Sequence, residues 1–311
     1  MLFNFALWLT KHAAKIASKD DITEDEAKDI HRSLRLAAGT WTLLRDEYAP
    51  NLKEQALPGQ DLYHDIIEAY ILQSTAEAQE VTVARAIELK HSPSLIAGLA
   101  KETSSIYEKA KLCLTSCNER NVLKWMKYLE FKQYCYFACS YVYFAEHLLK
   151  EEKAGAAIVV AAEAAKAYDR AVELGKVYGR VHGVGISAKP AEHCFFRRLG
   201  QSIENTRSKV DRENTLIFHQ RAPAVAPDFN LKAEYGIVKP ELPDISTTPN
   251  DRWKDAYMGF DHTKLLEFLI KRDTKSLNGP SDDKAQVETV SEKPIFNTDK
   301  DPKNESGCVL S

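Results

Sequence analysis

For about two thirds of its length the chain repeats apolar residues at three- and four-residue intervals, the spacing that places them on one helix face. The first run covers residues 2 to 17. The second opens at Ile22-Thr23-Glu24-Asp25-Glu26, where Thr23 and Glu26 form a capping box, and runs to about Tyr48 ahead of Pro50. A loop over 49 to 60 contains Pro58-Gly59. The third helix, about 61 to 90, is apolar on two lines: Ile67, Ile71, Ala78 and Val81 on one, Leu72, Ala76, Val83 and Ile87 on the other. A helix of that kind is sandwiched between neighbours.

That helix stops near Lys90, and Ser92 caps a fourth with Pro93 in its first turn, which fixes a tight helical hairpin. On the fourth helix, which ends near Cys117, Ile96, Ala100, Thr103, Tyr107, Ala110 and Leu114 share the core stripe. Leu95 and Leu99 lie on another line, roughly 100° around the helix. Beside the small Gly98 they could line a groove for a partner helix; the plainer reading is that they pack on a neighbouring helix.

A fifth helix over 120 to 151 carries Tyr128, Tyr134, Tyr136, Tyr141, Tyr143 and Trp125, a stripe typical of helix packing. The sixth, about 153 to 177, is dense in alanine, and the pair reads as one tetratricopeptide-type hairpin. The glycine-rich Gly179 to Gly185 run follows a helix and lacks the ending of a phosphate loop, so it reads as a helix-to-helix connection. A seventh helix spans about 190 to 212.

Beyond it Pro223, Pro227, Pro240, Pro243 and Pro249 break any helix, and short β-like pieces such as LIFH and YGIV appear. The apolar content is too high for disorder, so this stretch is expected to lie extended along the helical body. Residues 253 to 270 predict a short amphipathic helix. From Asp273 the composition turns polar. The predicted organisation is therefore an all-α domain over residues 1–272 and a disordered tail over 273–311.

The formal net charge of −3 gives no general attraction for nucleic acid or acidic lipid. No run reaches the length of a membrane span, and MLFNFALWLTKHAAKIA spaces as a core helix rather than a signal peptide. Cys113/Cys117 and Cys135/Cys139 are i, i+4 pairs in helical text without the turns of a zinc knuckle. They read as buried hydrophobes in a reducing compartment, with no metal. No G-x-S-x-G, H-E-x-x-H or P-loop is present, so neither an enzyme nor a small-molecule substrate is expected.

The last four residues, Cys308-Val309-Leu310-Ser311, form a C-a-a-X box whose terminal serine favours farnesyl on Cys308. No other cofactor is implied. One lipid chain binds membrane only marginally, so a second attachment is expected. The tail from Asp273 to Gly307 holds five lysines against eight acidic residues and supplies no polybasic patch. The second attachment should then be a protein already on the membrane, which a tail reaching on the order of 30 Å could engage together with the lipid.

Three segments, AQEVTVARAIELKHSPSLIAGLA, ITEDEAKDIHRSLRLAAGTW (Ile22 to Trp41) and ENTLIFHQRAPAVAPDFNLKAEYGIVKP (Glu213 to Pro240), resemble the BRO domain family. The resemblance covers about residues 1 to 245 and the terminal tetrapeptide. It implies an elongated, curved helical domain with tetratricopeptide-like hairpins and a late extended segment packed along them. It further implies a non-catalytic adaptor whose hydrophobic patch binds the C-terminal amphipathic helix of an ESCRT-III subunit, charged multivesicular body protein four.

Carried across by position, the patch falls on Leu95 and Leu99 with Ile96 adjacent, and a bordering acidic residue falls on Asp25. Thr82 stands where a family member has an aromatic residue, which would make the patch shallower. Family members begin with a further stretch that includes a small β-sheet, so this chain resembles a form shortened at its N-terminus. The resulting expectation is a farnesylated adaptor on the cytoplasmic side of endosomal or nuclear-envelope membranes, with a soluble cytosolic pool, supporting membrane remodelling or repair. The alternative is a general helical peptide-binding scaffold tethered by its lipid.

Overall fold

Thr23 starts the second helix as its sequence dictates: its hydroxyl accepts from the Glu26 amide at 3.3 Å, and the Glu26 carboxylate accepts from the Thr23 amide at 3.0 Å. The computed structural model describes residues 1–19, 21–117, 119–182 and 194–244. The helices are α1 (Leu2–Ala17), α2 (Glu24–Leu43), α3 (His64–Glu88), α4 (Pro93–Cys113), α5 (Glu119–Lys150), α6 (Ala154–Arg180) and α7 (Cys194–Glu213). Among the described residues there is no β-strand. Each helix packs on its neighbours in sequence, and α7 touches both α5 and α6, so α1 to α6 succeed one another as antiparallel hairpins. Met1–Pro243 form one compact unit.

One boundary held and one moved. α2 continues through a π-helical turn, Leu44–Tyr48, to the position expected. α6 runs past 177 and absorbs Gly179, whose α-carbon has open space around it. The expected β-like character of LIFH is not found: Leu216 to Phe218 belong to a π-helical turn, Asn214–Phe218, that prolongs α7. His219 ends that turn at φ 48°, while the Asn214 side chain exchanges two 3.0 Å hydrogen bonds with the Gln220 backbone. Residues 183–185 of the glycine-rich run, the helix expected over 253–270, the tail and Cys308 lie outside the described residues.

From His219 the chain becomes an extended strap that crosses the helices in reverse order. Glycines set into three of them receive its backbone. A methyl on Gly155 of α6 would come within 2.6 Å of the Arg221 carbonyl oxygen, one on Gly98 of α4 within 2.8 Å of the Ala233 amide nitrogen, and one on Gly39 of α2 within 1.8 Å of the Glu241 carbonyl oxygen. Between these notches Phe229 packs on Phe144 and Tyr141 of α5, ring centroids 4.7 and 5.7 Å away. At the far end the Arg35 guanidinium donates to the Lys239 carbonyl at 3.0 Å, and the Glu241 amide donates to the Arg35 carbonyl at 3.0 Å.

The two apolar lines of α3 are explained by its neighbours. α2 covers one side and α4 the other, and Ile67, Ala76, Ala78 and Val83 are buried. A polar stripe runs between α3 and α5. Lys132 reaches Glu80 at 2.7 Å, Tyr107 donates to the same carboxylate, and Tyr128 and Gln73 donate to Glu77 at 3.0 and 2.8 Å. Trp125 closes the row by donating to Gln73 at 2.5 Å. Burial, reinforced by the neighbouring Glu80 charge, pushes the Glu77 carboxyl up to about 7. Cys135 and Cys139 sit on the core face of α5, where burial pushes the Cys139 thiol up to about 12. Thiols held that far above neutrality are inert packing groups.

Candidate functional site

The α3–α4 hairpin closes as its residues require. Lys90 adopts φ 54°, and the amides of Lys90 and His91 donate back to Ile87 and Ala86, both at 3.0 Å, which ends α3 in a Schellman motif. The Ser92 hydroxyl then accepts from the Leu95 amide at 3.3 Å and starts α4. The left-handed position carries a β-carbon, so Lys90→Gly is expected to stabilise the protein by about 1 kcal/mol, a rise of roughly 2–4 °C in a thermal melt.

Ile96 sits on the core stripe, 2% exposed. Leu99 is 1% and Leu95 7% exposed, so the two leucines do not line an open groove. Both belong to the packed helical core, as the plainer reading expects, and the strap adds cover over Leu99. A methyl built on Gly236 would lie 3.3 Å from Leu99 Cδ2 and 3.5 Å from Thr82 Cγ2, so the strap backbone rests on both side chains. Gly236 has φ +81°, a conformation that suits glycine there. Gln79, fully buried on α3, fixes this contact: its amide donates to the Gly236 carbonyl and its oxygen accepts from the Val238 amide, each at 2.8 Å.

Gly236 and Val238 face the helices, while Tyr235 is 58% and Ile237 42% exposed. The accessible apolar surface over Leu99 is thus made by Tyr235 and Ile237, residues that the sequence reading did not single out. Their signal was the YGIV stretch itself, apolar residues flanking a glycine.

Charged groups rim this surface. Thr82 is half-buried with its hydroxyl 3.5 Å from His31 Nε2. Burial and the adjacent Arg35 hold the His31 ring below its usual range, although Glu241 pulls the other way. Arg35 meets Glu241 at 3.3 Å. Asp25 is almost fully exposed and contacts only Lys28 of its own helix, at 3.6 Å; the acidic residue of α2 that ties to α3 is Glu24, which meets Arg85 at 3.3 Å. The arrangement therefore joins Leu99, Thr82 and Gly236 at one place, with Ile237 next along the strap, while Asp25 points to solvent beside Lys28. Among the described residues no cluster could hold a metal, and no helix is long and apolar enough to cross a membrane. An apolar surface with an ionic rim suits an amphipathic helix.

A model of the BRO1-like domain matches residues 1–256. The chain is 44% identical over 316 residues to the "BRO1 domain-containing protein BROX" of Danio rerio, covering all of this chain and 72% of that protein. It is 48% identical over 269 residues to the protein of the same description from Mus musculus, covering 85% of this chain and 64% of the relative. A solved "ALIX BRO1 CHMP4C complex" superposes over 82% of this chain and 66% of that one with a TM-score of 0.63 at 18% identity, a likeness of fold.

Proposed function

Because the chain belongs to the BRO1-like domain family, we propose that it is a non-catalytic adaptor that binds the C-terminal amphipathic helix of the ESCRT-III subunit charged multivesicular body protein four. The observation that carries this reading is the exposed Tyr235–Ile237 surface seated over Leu99 on the α3–α4 hairpin. The same fold in an ALIX BRO1 CHMP4C complex supports the kind of partner. Apolar residues along one face of the partner helix would rest on Ile237 and Tyr235, and its polar edges would meet Arg35, Glu24 and Arg85.

The membrane half of the proposal rests on the Cys308-Val309-Leu310-Ser311 terminus. Farnesyl on Cys308 supplies one weak attachment and the helix-binding surface a second, so lipid and partner hold by avidity where neither suffices alone. The protein would then act on the cytoplasmic side of endosomal or nuclear-envelope membranes where ESCRT-III assembles, with a soluble pool, and support remodelling or repair there.

Two variants test the two halves. Ile237→Asp places a charge on an exposed strap position and is expected to weaken a CHMP4C C-terminal peptide by about tenfold or more in a fluorescence-polarisation titration; unchanged affinity removes the surface from consideration. Cys308→Ser is expected to shift the full chain from membrane to soluble fractions in a flotation gradient, and full retention on membrane would make the lipid dispensable.

A further inference from the structure

The strap makes the surface, and one side chain holds the strap where the surface is made. We propose that Gln79 is the positioning residue of this docking surface. By binding Gly236 and Val238 it seats the strap on Leu99 and turns Tyr235 and Ile237 outward. The inference rests on the docking reading above.

Gln79 is fully buried, yet its side chain makes no bond within the helical body: both of its hydrogen bonds, at 2.8 Å, go to strap backbone more than a hundred and fifty residues away. A buried amide whose partners all lie on a separate segment acts as a latch, because each group it leaves unpaired would be stranded out of water. The next backbone and polar attachments on either side are Gly98, against Lys232–Ala233, and Arg35, against Lys239 and Glu241, while within the interval the Val238 side chain is buried with Ile30, Leu34 and Ala78. Between them the strap's recorded side-chain hydrogen bonds are the two from Gln79. Tyr235 and Ile237 fall inside that interval, so the two Gln79 hydrogen bonds, together with the buried Val238 side chain, set their outward direction.

The experiment compares binding of the same helical peptide to the wild-type chain, Gln79→Met and Gln79→Glu, with amide hydrogen exchange as a second readout. Methionine keeps the volume and loses both bonds. Peptide affinity is expected to fall by about tenfold or more, and the Val238 amide to exchange faster while α3 and α4 stay protected. Glutamate is the conservative probe. Ionised, it accepts from Val238 but offers no proton to the Gly236 carbonyl; protonated, it restores both bonds. Its affinity should therefore be low at about pH 8 and recover on acidification. Ionisable groups at the same seat, His31 and Arg35 on α2 and Lys239 and Glu241 on the strap, are common to both proteins, so the wild-type pH profile is the control.

Should Gln79→Met fail to fold, Gly236→Ala disturbs the same contact from the strap side and is expected to weaken binding likewise. Wild-type affinity retained in Gln79→Met, or in Gly236→Ala in its place, overturns the inference. Tighter binding overturns it too, since the strap would then be a lid over Leu95 and Leu99. A wild-type chain that ignores the peptide overturns the docking reading itself, and so the two failures are told apart.

Discussion

Leu99→Asp is expected to remove about 4–5 kcal/mol of folding stability, so any binding it abolished would be lost with the fold. Leu99 is 1% exposed, enclosed by the core of α4 and by the Gly236 backbone. Aspartate there replaces two buried methyls with the oxygens of a carboxylate in an apolar interior. The loss is a large share of the roughly 5–15 kcal/mol that holds a domain together. Circular dichroism during urea unfolding should show the midpoint falling steeply. Ile237→Asp, on an exposed position, should stay within about 1 kcal/mol of wild type. If Leu99→Asp unfolds at the wild-type midpoint, the strap does not cover that residue in solution.

This pair of substitutions also marks what the sequence could and could not specify. Local chemistry was legible: Thr23 and Glu26 form their capping box, Ser92 caps α4, and α3 ends where Lys90 and His91 turn back. Periodicity assigned Ile96, Tyr107 and Leu114 to the core, where they are buried. It also separated Leu95 and Leu99 from that stripe, but it carries no information about what lies over them. The strap's cover over Leu99 comes from Gly236, far along the chain, and only packing in three dimensions brings the two together. Gly98 was noticed as a small residue beside a groove; its role is to let Lys232 and Ala233 approach α4. Gly39 and Gly155 serve the same strap and gave no pattern of their own, since three notches on three helices have no common spacing in sequence. Asp25 was placed near the surface by position, and its side chain points to solvent while Glu24 reaches α3.

The strap also gives the adaptor reading a physical economy. A docking surface made only of helix residues would have to leave Leu95 and Leu99 open to water, an exposed patch that invites aggregation. Here the leucines are sealed, and two residues of an extended segment present the apolar contact instead. The positions that tune a partner are then free to vary without disturbing the core, because Tyr235 and Ile237 face away from it.

The second large effect lies beneath that surface, in the buried stripe of α3. Glu77→Gln is expected to stabilise the protein at about pH 8 by on the order of 3 kcal/mol and to change it little near pH 4. The Glu77 carboxyl titrates at about 7 in the folded chain against an ordinary 4.5, because burial and then the Glu80 charge oppose its ionisation, while Gln73, Lys132 and Tyr128 favour it only in part. Folding therefore raises its proton affinity, and the stability this proton contributes is complete below 4.5 and is lost as pH rises through about 7. Glutamine carries no such charge at any pH. Its carbonyl oxygen still accepts from Tyr128 and Gln73, the donors that Glu77 holds at 3.0 and 2.8 Å. Glu80→Gln should behave in the opposite way. It removes the partner that Lys132 meets at 2.7 Å, leaves a buried ammonium without its counter-ion, and should cost about 3–5 kcal/mol. Melting temperatures of the three proteins across pH 5 to 9 decide the matter: the gap between Glu77→Gln and wild type should widen as pH rises. Parallel curves would mean that Glu77 is already ionised in the fold, with Lys132 serving both carboxylates.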